Sequence, residues 1–374
     1  MPSHAIVIGS GVSGMSAAIA LCKQGWRVLV LEQAARPGGL MASYRRGQCA
    51  LPTGIHTIGA MGEGQATRRY LEYLGVWSGI HAVPMNVDGY AEFRFPDMSF
   101  LMPANYQAFR ERLLERFGRQ RLAIDQYLQD MKRTALGFPL YSFSTQPYAG
   151  GEETRTALQS YLDKLTDDEG LKRVIGAPNL LYGVEPKNCP LFVHFLVVDS
   201  YLRSAWRIDE HKAPLAEAFV DALLRAGGRI RCQTRASHFK CSGEQLQSVV
   251  VSDGEAIPAD IVVYTGHPKR LPALCPVICF QSRCWRAIFS PGFWTRGSRT
   301  LALSSASLPS HERVRQMPAK RARTWCTTSA GVRKSLSSRP FGRITLSDIT
   351  AGRSPDLHRL LHSGPFPPLP SVRN

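Results

Sequence analysis

Three glycines place the strongest constraint on this chain. Gly9, Gly11 and Gly14 directly follow the apolar stretch His4 to Ile8 (HAIVI) and open the segment Val12 to Gln24, whose apolar residues recur at helical spacing. A second apolar run, Arg27 to Leu31 (RVLVL), comes next. Strand, helix and strand in quick succession predict a βαβ unit, and such a unit predicts a parallel sheet with a right-handed crossover. Each glycine then has its own task. Gly9 permits a tight turn out of the strand, Gly11 lets main chain approach a diphosphate, and Gly14 lets the helix lie close to the strand. Unpaired amides at the helix start, at the positive end of its dipole, face two negative charges.

Glu32 stands eighteen residues past Gly14, at the end of the second strand. An acid there accepts the ribose hydroxyls of an adenosine half and repels a 2′-phosphate, which favours FAD or NAD over NADP. The next loop separates those two. Arg36-Pro37-Gly38-Gly39 follows at once, where a nicotinamide dehydrogenase would continue into another helix and strand. The E-x-x-x-x-P-G-G arrangement from Glu32 to Gly39 resembles the FAD-binding oxidoreductases that include amine oxidases, phytoene desaturases, carotenoid isomerases and retinol saturases. That resemblance implies FAD as cofactor, with Gly38 and Gly39 letting main chain run beside the flavin-side phosphates and ribose.

Within that superfamily, Thr53 to Gly59 (TGIHTIG) resembles the G-x-H-Y-x-G segment of the carotenoid isomerase and retinol saturase branch. It adds Gly54 to the expected cofactor-binding set and His56 as the candidate catalytic side chain near flavin or substrate. The stretches FRFPDMSFLMPANYQAF, LLYGVEPKNCPLFVHFLVVDSYLRSAWRI, GGRIRCQTRASHF and GEAIPADIVVYTGHP agree with the same branch in order and spacing. The resemblance implies desaturation, saturation or isomerisation of an apolar polyene or isoprenoid-like substrate. It also implies peripheral contact with a membrane that holds such a substrate. A flavin carries out the hydride or electron transfer itself, so no acid-base pair need stand out in the chain. Three departures mark this chain: Pro52 where an acidic residue is frequent, Asp209-Glu210-His211-Lys212 where a Gly-Gly turn is frequent, and no glycine-rich C-terminal strand-helix segment. The last of these leaves a second reading in play, a non-catalytic remnant of such a flavoenzyme that binds nucleotide weakly or not at all.

The expected fold class is α/β: a Rossmann-like FAD-binding domain with a parallel sheet from residues 1–75 and 215–275, an inserted α+β substrate domain at 76–214, and an irregular tail at 276–374. Helical spacing recurs in ATRRYLEYLGV, in the long stretch from Asn105 to Leu136, and in APLAEAFVDALLRAGG, which Gly227 and Gly228 close. Three strand-like pieces follow, RIRCQ, LQSVVVSDG and ADIVVYTG, and the last can rejoin the first sheet. The apolar run PLFVHFLVVDSYL reads as core, with His194 a satisfied core residue. Trp206 and Arg207 can border a substrate tunnel or simply pack at the surface. Ser10 and Ser13 lie within the glycine turn and read as turn hydrogen-bonders, because no G-x-S-x-G elbow supports a serine nucleophile.

Charge is misleading when taken over the whole chain. The formal net charge is +17, yet residues 271–374 hold 16 Lys and Arg against 3 Asp and Glu, while the preceding 270 residues hold 30 against 26. The basic tail has no helical face and no interleaved aromatic register, which argues against a nucleic-acid partner. Its serine, arginine and proline, without period, predict disorder, and the abrupt change near Pro276 also fits a shifted reading frame. The terminal PFPPLPSVRN contains a P-x-x-P pattern that reads as a solvated proline-rich end. Nine cysteines without paired spacing argue against a disulfide framework, and Cys275, Cys279 and Cys284 lack the C-x-x-C or histidine partners of a metal site. With no long apolar span and no secretory leader, the expected location is cytoplasmic, with membrane association through the substrate.

Overall fold

The computed structural model describes residues 3–143, 151–242, 245–267 and 270–274. The expectations for 276–374, the Cys275, Cys279 and Cys284 group, and the proline-rich end lie outside the described residues.

The opening segment forms β1 (His4–Ile8), α1 (Val12–Lys23) and β2 (Arg27–Leu31). β1 pairs in parallel with β2 on one side and with the strand Ile261–Tyr264 on the other, and the strand Arg229–Arg231 adds to the outer edge of β2. The four strands are therefore ordered 229–231, β2, β1, 261–264. The sheet reverses its direction of growth at β1. In open α/β sheets of this kind, ligands bind beyond the carboxyl ends of the strands at that reversal.

Both faces of this sheet are covered, which explains why its strands read as unbroken apolar runs. Successive side chains point to opposite faces. Ala5, Val7, Val28 and Val30 join Met15 and Ile19 of α1 and Phe219 and Leu223 of the helix Leu215–Arg225 in one core. Ile6 and Leu31 face the other way, onto Phe239, Val249 and Val251 of an antiparallel meander built from Ala236–Ser242, Gln245–Val251 and Ala256–Pro258. The meander lies between the last two parallel strands in the chain, so the chain leaves the sheet at Arg231 and returns at Ile261.

A separate core lies between Tyr90 and Ala205, built on the hairpin Ala91–Arg94 with Ser99–Met102 and on the helices Tyr106–Arg116, Arg121–Gly137 and Leu191–Arg203. Asn105 caps the first of these helices by accepting from Ala108 N at 3.0 Å. The two regions are stitched by a small antiparallel sheet in which Ala205–Ile208 pairs with Ile58–Gly59 and with Ala82–Pro84.

His194 is fully buried in this second core, with Nε2 at 2.8 Å from the Tyr127 hydroxyl and Nδ1 at 3.0 Å from Asn179 Oδ1. The neutral ring thus has one acceptor and one donor position satisfied. Burial pushes its pKa down from 6.5 to about 3. Between those values the unfolded chain binds a proton that the folded one does not, so stability falls as pH drops through that window. This one group removes about 2 kcal/mol between pH 7 and pH 5. Urea denaturation at the two pH values will read that loss, and His194→Gln will flatten it. Equal pH slopes in both proteins would show that the buried ring does not carry the effect.

Candidate dinucleotide-binding site

The glycine turn sits at the carboxyl end of β1, with Gly9 at φ +103° and its N–H bonded to Leu31 O at 2.9 Å. Gly14 is fixed by contact. A Cβ there would lie 1.9 Å from Gly9 O, so only glycine lets α1 come this close to the turn. Gly11, the residue before α1, is different. Its backbone is ordinary, at φ −66° and ψ 175°, and a Cβ on it would meet no atom within 4 Å. Nothing in the described protein requires glycine at position 11, whereas close approach of a ligand does.

A second glycine turn presses against the first. Gly38 and Gly39 both have positive φ, at +118° and +54°, and a Cβ on Gly39 would lie 3.2 Å from Gly11 Cα. A Cβ on Gly38 would strike Ala216 at 2.6 Å, which ties this turn to the helix Leu215–Arg225. Gly54 backs onto Leu40, the residue after the pair: a Cβ on Gly54 would lie 3.0 Å from Leu40 Cβ. All six glycines named from the sequence therefore belong to one chain of contacts, running from Gly9 and Gly14 through Gly11 and Gly39 to Leu40 and Gly54.

Glu32 closes the group. Its Oε2 accepts from Ser10 N at 3.0 Å and from Ser10 Oγ at 2.6 Å, and its Oε1 accepts from Ala34 N at 2.8 Å. The residue as a whole is only 9% exposed. Burial raises its pKa, but the hydrogen bonds from Ser10 and Ala34 outweigh burial and hold it below the usual carboxylate range. Glu32 is thus an anion near neutral pH, placed beside the amides of the glycine turn.

One contributor does more than the sequence reading assigned to it, and a second, Thr265, escaped that reading. Ser10 was expected to make a turn hydrogen bond, but its hydroxyl does more: it donates to Glu32 and accepts from Gly38 N at 3.0 Å, joining the two glycine turns. Thr265, at the end of the strand Ile261–Tyr264, donates its hydroxyl to Ile8 O at 2.9 Å and lies against Gly9. A polar β-branched residue directly after a β-branched run was the available signal, and pairing across 257 residues hid its partner.

His56 is exposed and makes no side-chain hydrogen bond to the described residues. Its loop is held at both ends, by Gly54 against Leu40 and by Thr57, whose carbonyl accepts from Tyr201 OH at 3.0 Å. Trp206 is half-buried and donates Nε1–H to Ser204 Oγ at 2.9 Å, while Arg207 is exposed. Among the described residues there is no cluster of three or more His, Cys, Asp or Glu suited to a metal ion, and no helix long and apolar enough to cross a membrane.

The parallel sheet, the glycine turn at its reversal point and the acid at the end of β2 define a Rossmann-like dinucleotide-binding protein. The NAD(P)-binding Rossmann-like domain family matches residues 7–74. The chain is related to retinol saturases and carotenoid desaturases. It is 29% identical over 293 residues to the all-trans-retinol 13,14-reductase of Macaca fascicularis, a match covering 73% of this chain and 46% of that protein. It is 25% identical over 282 residues to the all-trans-zeta-carotene desaturase of Myxococcus xanthus, covering 70% and 52%. The chain thus spans about half the length of the curated relatives it matches. In fold it is similar to an oxidoreductase from Methanosarcina mazei, with a TM-score of 0.55 at 16% identity over 73% of this chain and 61% of that one.

Proposed function

We propose that this chain binds FAD and belongs to an FAD-dependent oxidoreductase that desaturates, saturates or isomerises an apolar polyene or isoprenoid-like substrate. The observation that carries this reading is the contact of the two glycine turns at Gly11 and Gly39, next to the ionised Glu32. A dinucleotide needs main chain free of side chains along its diphosphate and an acceptor beside its adenosine ribose. Position 11 leaves that room and Glu32 offers that acceptor, so the residues present suit the group.

In this reading the amides at the start of α1 hold the diphosphate, Glu32 holds the adenosine ribose, and Gly38, Gly39 and Gly54 keep side chains clear of the flavin half. Bound flavin supplies the hydride or electron transfer. Residues 1–75 and 215–275 are assigned to the cofactor and residues 76–214 to the substrate; the separate core between Tyr90 and Ala205 supports such a division, while Val76 and Ile208 pack with the cofactor region. His56, exposed on a loop fixed at both ends, is the side chain assigned to flavin or substrate. An apolar polyene is supported by the relatives' names, which specify all-trans-retinol and all-trans-zeta-carotene. Such a substrate is drawn from a lipid phase, so peripheral contact with a membrane belongs to the same proposal.

The test is reconstitution. The purified chain incubated with FAD and desalted should stay yellow, release FAD on heating, and convert a polyene such as retinol or zeta-carotene. A colourless protein that takes up no flavin overturns the proposal. Flavin retained without turnover of any polyene is the outcome expected of the non-catalytic reading.

A further inference from the structure

The turn from the strand Ala205–Ile208 into the helix Leu215–Arg225 carries Asp209, Glu210, His211 and Lys212, where the family it resembles frequently has a Gly-Gly turn. Lys212 N and Ala213 N close it, both donating to Asp209 O at 3.1 Å. Asp209 N donates to His81 O at 2.9 Å, and His211 Nε2 accepts from Ala50 N at 2.9 Å, which ties the turn to its surroundings. Glu210 is different. It is only 6% exposed, and its Oε2 is enclosed without a hydrogen bond. Burial pushes its pKa above the usual carboxylate range; the Leu215 amide and the Ser43 hydroxyl work against this, and the charges of Glu217 and Asp209 add to it. A buried acid with an unanswered oxygen and two acidic neighbours is stable here only without its charge. Its position gives that preference a consequence. Ser43 opens the strand that follows the second glycine turn, and Leu215 precedes Ala216, the residue packed on Gly38.

We propose that Glu210 is a pH-sensitive latch: uncharged, its carboxyl seats the 209–213 turn against Ser43 and keeps the helix Leu215–Arg225 on Gly38; charged, it drives the turn outward and loosens that contact. The groups that face it set the direction. From the helix it meets Glu217 and the Leu215 amide, from the strand after the glycine turn Ser43, and from its own turn Asp209. Asp209 in turn has His81 at 3.7 Å and Lys212 at 3.9 Å. In the open turn water can solvate the ionised acid, so the closed form binds the proton more tightly and loses ground as pH rises. The latch itself stands apart from the dinucleotide reading; only its effect on FAD rests on that reading.

Hydrogen exchange at the Ala218 amide, which donates to Pro214 O in the first turn of the helix, reads the latch without any ligand. Between about pH 5 and pH 8 its protection factor should fall about tenfold in the wild type, the effect of a one-unit pKa difference between closed and open turn. Glu210→Gln keeps the shape and cannot ionise, so its protection should change by less than about twofold. Glu217→Gln removes one exposed charge and should move the midpoint about half a pH unit toward acid at low ionic strength. FAD titrated by calorimetry should bind the wild type about tenfold more weakly at the higher pH and Glu210→Gln equally at both. Glu32, held ionised, adds no slope of its own. Protection that is independent of pH in the wild type overturns the latch. The same fall in Glu210→Gln, or an unmoved midpoint in Glu217→Gln, assigns the effect to other groups such as His81 or His211 and overturns the role of Glu210. A fall in protection with pH-independent FAD affinity overturns the link to the second glycine turn. A chain that takes up no FAD at either pH overturns the dinucleotide reading, a result separate from the exchange measurement.

Discussion

Gly11→Ala should leave the fold intact and weaken FAD binding by at least about a hundredfold, roughly 2.7 kcal/mol. The expectation follows from what surrounds position 11. A Cβ there meets no protein atom within 4 Å, and the backbone lies in a region open to any residue. Alanine also restricts the unfolded chain, which offsets its weaker capping of α1, so stability should change by no more than about 0.5 kcal/mol. A methyl group on this turn does, however, occupy the side from which a diphosphate must reach the amides of α1. Thermal unfolding and FAD titration of the same sample separate the two effects. An unchanged affinity would mean that nothing approaches the turn there.

Gly14→Ala should do the opposite. Its methyl group would sit 1.9 Å from Gly9 O, a clash with main chain rather than with a movable side chain. Relief requires α1 to shift away from β1 and so to loosen Met15 and Ile19 from the core they share with Val7 and Val28. We expect a loss of about 3 kcal/mol or more, large against the marginal stability of a domain. Urea denaturation measures it. A loss below about 1 kcal/mol would show that the helix can back away freely, contrary to the tight packing described. The contrast between two glycines three residues apart separates the one that serves packing from the one that serves a ligand.

The start of the fold was legible because its determinants are local. The unbroken apolar runs of β1 and β2, the glycine spacing and the helical period of α1 all fall within one short stretch, and each element formed where its pattern lay. Helices at Ala66–Leu74, Tyr106–Arg116, Arg121–Gly137 and Leu215–Arg225 were readable for the same reason. Long-range pairing was less so. The strand Ile261–Tyr264 was recognisable as a strand, but its register with β1 depends on shared burial across more than two hundred residues. Likewise Glu32 was identifiable by position, while its capture by Ser10 depends on how tightly the turn folds back over the end of β2. His194 read correctly as core because an isolated histidine in an apolar run must find partners, although Tyr127 and Asn179 could not be named from spacing.

The most direct measurement is isothermal titration of the full chain with FAD, repeated in the presence of excess ADP. The account predicts saturable binding of one FAD per chain, displaced by ADP because both use the amides after Gly9 and the carboxylate of Glu32. FAD that fails to bind, or that binds indifferently to ADP, would contradict it.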